Sequence, residues 1–112
     1  MPNQDLEKIL KDIFRRLKIS ASQRFKARYT DAKKDLKHFE ESTKEDLRRF
    51  TTALADGDLT KKQFTELVGN NMRLLELKGL TQAGITVVEI DKFRHAALDI
   101  VLKTVLDKLL PI

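Results

Sequence analysis

Two histidines are the residues best placed by type to hold a metal or move a proton. His38 has Asp35 three residues before it and Glu41 three after, and His95 has Asp91 four before and Asp99 four after. On a helix those spacings share a face, so each imidazole has carboxylates beside it. A di-metal site in a helical bundle uses Glu-x-x-His on two helices and further glutamates from two others. Asp35-x-x-His38 offers the shorter acid and His95 the wrong spacing, so no metal ligand is assigned. There is no cysteine, which removes thiolate metal sites, a thiol nucleophile and a disulfide framework. No serine sits in a Gly-x-Ser-x-Gly setting, and the four glycines do not gather into a phosphate loop. The sequence therefore reads as non-enzymatic, with no catalytic residue and no cofactor.

The other chemistry on offer is charge. The chain carries a net charge of +5, and the stretch around SQRFKARYTDAKK holds more than its share of it. Between residues 15 and 37 the bases Arg15, Arg16, Lys18, Arg24, Lys26, Arg28, Lys33, Lys34 and Lys37 face only two acids, Asp31 and Asp35. Such a block attracts phosphates or an acidic protein by its long-range field. A polyanion held this way is released by salt. Phe25 and Tyr29, one helical turn apart, have the chemistry to stack on bases, although Phe25 also lies on an apolar stripe. No helix-turn-helix, zinc finger or RNA-binding signature accompanies them. A membrane surface is a further option. The segment LEKILKDIFRRLK sets Leu6, Ile9, Leu10, Ile13, Phe14 and Leu17 opposite basic residues.

These residues must be positioned by helices. The 112 residues make one domain, and both prolines, Pro2 and Pro111, sit at its ends. Few glycines and no internal proline leave little material for the turns of a sheet. The clearest reversal is ALADGDLTKKQF. Gly57 can take the left-handed position that ends a helix. Thr60 and Gln63 form a capping box, with Leu59 and Phe64 as a hydrophobic staple. The flanking arms, about 6–55 and 61–110, match in length and carry apolar residues at helical spacing. The expectation is an all-α fold, a long antiparallel hairpin about 75 Å in length at 1.5 Å per residue.

The last helix makes an added demand. From Ile85 to Leu110 its apolar arc spans roughly 200°, about twice what one neighbour covers. A dimer closing into a four-helix bundle would satisfy it, with Phe93, Ala97, Ile100, Val101, Val105 and Leu109 at the interface. The alternative is a monomeric three- or four-helix bundle with breaks near Ser20 and Gly79. In that form Ser20 and Gln23 cap one new helix, and Thr81 caps another, stapled by Leu80 and Ile85. The functional expectation is a helical interaction or scaffold protein that homo-oligomerises. Alternatives are a basic nucleic-acid-associated protein using residues 15–37, and a membrane-surface or metal-carboxylate bundle. No run of about 18 apolar residues exists to span a bilayer. The start, MPNQDLEKIL, lacks a signal-peptide pattern, so a cytoplasmic location is expected.

Overall fold

The computed structural model describes residues 3–73 and 77–109, and these are helical throughout except for short connections. Helix α1 spans Asn3–Arg24, and a single 3-10 turn, Lys26–Arg28, leads into α2, Tyr29–Ala55. Then follow α3, Lys61–Arg73, the short α4, Lys78–Gln82, and α5, Val87–Leu109. The all-α bundle is present, in the form in which each hairpin arm folds once more. The longest dimension is 42 Å, far short of a 75 Å rod. Leu110, the expected end of the second arm, lies outside the described residues.

The register follows from the apolar stripes. In α1 the residues Leu6, Ile9, Leu10, Ile13, Phe14, Leu17 and Ala21 are all buried. This is the stripe that suggested a membrane surface. That expectation is corrected, because the stripe faces α2 and α5 and forms the core. Helix α2 returns antiparallel to α1. Phe14 meets Phe39 edge to face with centroids 6.4 Å apart. Nearer the start of α1, Glu7 accepts from Arg48, with Nη2 at 2.5 Å and Nε at 3.1 Å.

Between α2 and α3 the turn forms as its local chemistry dictates. Gly57 has φ +82°. The amide of Asp58 donates to the Ala53 carbonyl at 2.8 Å and that of Gly57 to Leu54 at 3.3 Å, the paired bonds that close a helix on a left-handed glycine. Thr60 and Gln63 then cap α3 reciprocally, at 2.9 and 3.1 Å.

The first break falls later than the sequence pattern suggests, and the second falls where it is expected, around Gly79, with α3 ending at Arg73 and the short α4 stopping before Gly84. Helix α1 runs straight through Ser20, and Ser22 bonds back to the Ile19 carbonyl at 2.8 Å instead of opening a new helix. The chain turns at Phe25, whose ring is buried edge-on against Phe93 at 5.4 Å. A distant aromatic on α5 thus sets the turn, not the serine cap. In the second arm Gly79 lies inside α4, and the Thr81 hydroxyl donates to the Leu77 carbonyl instead of capping. The stop comes at Gly84, with φ +93°. Thr86 then accepts from the Glu89 amide and opens α5.

Helix α4 is tied down by a carboxylate from another helix. Buried Asp35 of α2 accepts from the amides of Gly79 at 2.9 Å and Leu80 at 3.0 Å. A Cβ on Gly79 would stand 3.0 and 3.2 Å from those same oxygens. A side chain here would make the carboxylate give way by a few tenths of an ångström.

Helix α5 completes a ring of four long helices. It packs on α1 and α3, and α2 packs on the same two helices from the other side. Phe93, Ala97, Val101 and Val105 are fully enclosed there. The wide apolar arc thus finds both of its neighbours within the chain. Among the described residues no helix is long and apolar enough to cross a membrane.

Two buried threonines sit uneasily in this core. The hydroxyls of Thr51 and Thr104 are fully buried with no hydrogen-bond partner among the described residues. Replacing either by valine removes an unmet polar group at nearly constant size. Thr104→Val should raise stability by about 1 kcal/mol, read as a higher urea midpoint at unchanged slope, and a lower midpoint would show that the hydroxyl is satisfied. The opposite sign is expected at the α2–α4 clamp. Asp35→Ala leaves two amides unmet, and Gly79→Ala pushes on the carboxylate. Each should lower stability by about 1–3 kcal/mol.

Candidate polyanion interface

The basic block does not act as one surface. Helix geometry and local acids divide it into three groups. On α1, Arg15 and Arg16 both turn back to Asp12, with Arg15 Nη2 2.5 Å from Oδ1 and Arg16 Nη2 3.2 Å from Oδ2. Burial works against the Asp12 charge, but the hydrogen bond from Arg15 and the charges of Arg16 and Arg15 outweigh it. Its carboxyl is held below the ordinary value of 3.8. These two arginines therefore share one acid, which offsets one of their two charges.

The second group converges. Lys18 from α1 and Lys33, Lys34 and Lys37 from α2 line a cleft of about 430 Å³, together with Thr30 and Glu40. The α2 side chains reach it because of their spacing. With Leu36 buried, Thr30, Lys33, Lys34, Lys37 and Glu40 fall within about 120° on one flank of the helix, at 3.6 residues per turn. Asp31, Asp35 and His38 fall on the other flank. Asp35 is spent there on the start of α4. Asp31 and Asp35 are thus turned away from the lysines, and Glu40 is the one acid among the residues that line the cleft. No ion pair joins any of the four lysines among the described residues.

The third group, Arg24, Lys26 and Arg28, surrounds the 3-10 turn at one end of the bundle. All three are exposed. Phe25, between them in sequence, is buried against Phe93 and cannot stack on a base, while Tyr29 is half-buried. The aromatic half of the nucleic-acid expectation is therefore corrected for Phe25.

The remaining expected residues are placed as follows. Of the six assigned to an oligomer interface, Phe93, Ala97, Val101 and Val105 have no surface to give a second copy, because α1 and α3 already cover them. Ile100 and Leu109 are partly buried and packed against the same core. The histidines are not brought together by any shared site. His38 is exposed on the flank of α2, and His95 lines a separate cleft of about 390 Å³ between α3 and α5 with Met72, Arg73, Asp91 and Leu98. No group of three or more His, Asp or Glu side chains among the described residues is arranged to hold a metal ion.

Sequence reasoning missed Asp35. It appears beside His38 as a candidate ligand, yet its position next to Leu36 puts it at the edge of the buried stripe. The matching signal was Gly79, a glycine inside a helical pattern, where a close approach is one reason for a missing side chain. Compared with family models, with curated proteins and with solved structures, the chain finds no match. What this geometry defines is a bundle of four long helices with a lysine-lined cleft between the first two.

The Asp12 cluster gives a pH test. Its native carboxyl titrates below 3.8, so its contribution to stability is complete above that value and is lost as pH falls through the lower native one. The urea midpoint of Asp12→Asn should lie slightly below that of the parent at neutral pH, and the gap should close in acid. A gap that persists in acid would show that the aspartate acts by packing and not by charge.

Proposed function

We propose that the chain is a non-enzymatic helical binding module whose lysine cleft takes the phosphate backbone of a nucleic acid. One observation carries this. Lys18, Lys33, Lys34 and Lys37, from two helices, line one cleft with a single acid, Glu40, and none of the four forms an ion pair among the described residues, while Arg15, Arg16, Lys44, Arg48, Arg49, Lys92 and Arg94 all lie on acids. Lysine ammoniums are compact point charges with no demand on ligand orientation. That suits a repeating phosphate chain. With Phe25 enclosed, the cleft has no exposed aromatic partner for base recognition among the residues that line it. Binding is then indifferent to base sequence. Self-association through α5 was the first functional expectation. It rested on an apolar arc that α1 and α3 now cover, so the cationic cleft carries the reading in its place.

The test is fluorescence anisotropy with a labelled single-stranded oligonucleotide across a salt series. Four neutralised phosphates give a slope of about −3 in log K against log salt on a single strand. Lys33→Glu with Lys37→Glu should weaken binding by tenfold or more, on the order of 1.4 kcal/mol. Lys103→Glu with Lys108→Glu, on the far part of α5, changes net charge equally and should matter much less. Equal losses in the two double variants would mean that overall charge, not the cleft, does the binding. Preference for an acidic peptide at matched charge would assign the cleft to a protein partner instead.

A further inference from the structure

Among the described residues, the large exposed apolar side chains lie toward one end of the bundle. Val87 and Val88, which open α5, are 70% and 63% exposed, and Ile19 is 45% exposed. The helices alternate in direction, so the start of α5 lies at the same end as the finish of α1. Ile19 is about 8 Å short of that finish at 1.5 Å per residue. The Phe25–Phe93 contact at 5.4 Å holds the 3-10 turn against the first half of α5. The same end therefore carries Arg24, Lys26 and Arg28, exposed and without an ion pair among the described residues. The acids that open α5 are occupied, Glu89 by Lys92 at 3.7 Å and Asp91 by Arg94 at 2.8 Å.

Nothing in the fold calls for this pair of valines. Valine is a modest helix former, and the first turn of a helix favours polar and acidic residues. Here both β-branched side chains stand in solvent.

A second copy of the chain fits this end poorly. A two-fold contact would set Arg24, Lys26 and Arg28 against themselves, and three side chains fall well short of the roughly 800 Å² per partner of a stable interface. A flat anionic layer fits both features. Apolar tips enter the headgroup region to a depth of about 5–10 Å. Basic residues beside them meet lipid phosphates, each strengthening attachment by about fivefold near an anionic surface.

We propose that this end of the bundle docks on an anionic lipid bilayer, with Val87 and Val88 entering the headgroup layer and Arg24, Lys26 and Arg28 pairing with lipid phosphates. The contact uses other side chains than the lysine cleft, which begins beside it at Lys18 and Thr30, and neither proposal depends on the other.

The experiment is co-sedimentation of the full chain with vesicles of phosphatidylcholine alone and of phosphatidylcholine mixed with phosphatidylserine. Binding to the mixed vesicles and not to the neutral ones is expected. Val87→Ser with Val88→Ser changes no charge and alters only exposed positions. It should weaken vesicle binding by about tenfold, with its circular dichroism and its oligonucleotide affinity unchanged. Lys26→Glu with Arg28→Glu should abolish vesicle binding. Three results would overturn the proposal. One is no attachment to mixed vesicles. Another is attachment that the serine variant retains in full. The last is self-association of the parent, by light scattering, that the serine variant removes, which would make the end a contact between copies.

Discussion

Helix α5 carries apolar side chains around more of its circumference than one neighbour can cover, and the shape of the whole chain answers that demand. Phe93, Ala97, Val101 and Val105 need α1 on one side and α3 on the other. Both neighbours come from the same chain only if each fifty-residue arm folds back on itself. The result is a ring of four long helices with alternating direction, in which α2 lies opposite α5. Had the arms stayed straight, the same side chains would have been left for a second molecule.

The folding back depends on contacts of two kinds. Some are local. Gly57 and Gly84 accept left-handed conformations, and Thr60 and Thr86 cap the helices that follow. Others reach across the fold. Phe25 is captured by Phe93, and Asp35 takes two amides at the start of α4. The second kind also arranges the charge. By binding α4, Asp35 serves the flank of α2 that faces away from the lysines, and Asp12 draws Arg15 and Arg16 onto itself. The excess of lysine over the cleft's one lining acid, Glu40, thus follows in part from Asp35 being needed at α4.

This division explains what could be read from the residues alone. The all-α class, the stripe of α1 and the Thr60–Gln63 cap were legible because each depends on spacing within a few residues. The first break and the cap of the last helix were misplaced because they are settled elsewhere in the fold. Ser20 offers a plausible cap, but an uninterrupted apolar stripe through Ala21 to Phe25 outweighs it once Phe93 receives the ring. Thr81 and Thr86 are equally good caps by type, and only the position of Gly84 selects between them. The nine bases were visible as a block. Their separation into a pair that shares one acid, a cleft and a cap on the bundle end required the rotation of α2 relative to α1 and the partner of each acid. The exposed valines at the start of α5 were hidden in an apolar run that reads as continuous core.

Everything said of the cleft and of the bundle end depends on α5 being covered from within its own chain. Small-angle X-ray scattering in dilute solution tests that most directly, because it reports mass and length together. A single chain of 12.9 kDa with a radius of gyration close to the 14.1 Å of its Cα trace is the result this fold requires. Twice that mass with a radius of gyration of about 22 Å, as for a rod some 75 Å long, would instead mean straight arms and an α5 face shared between two molecules.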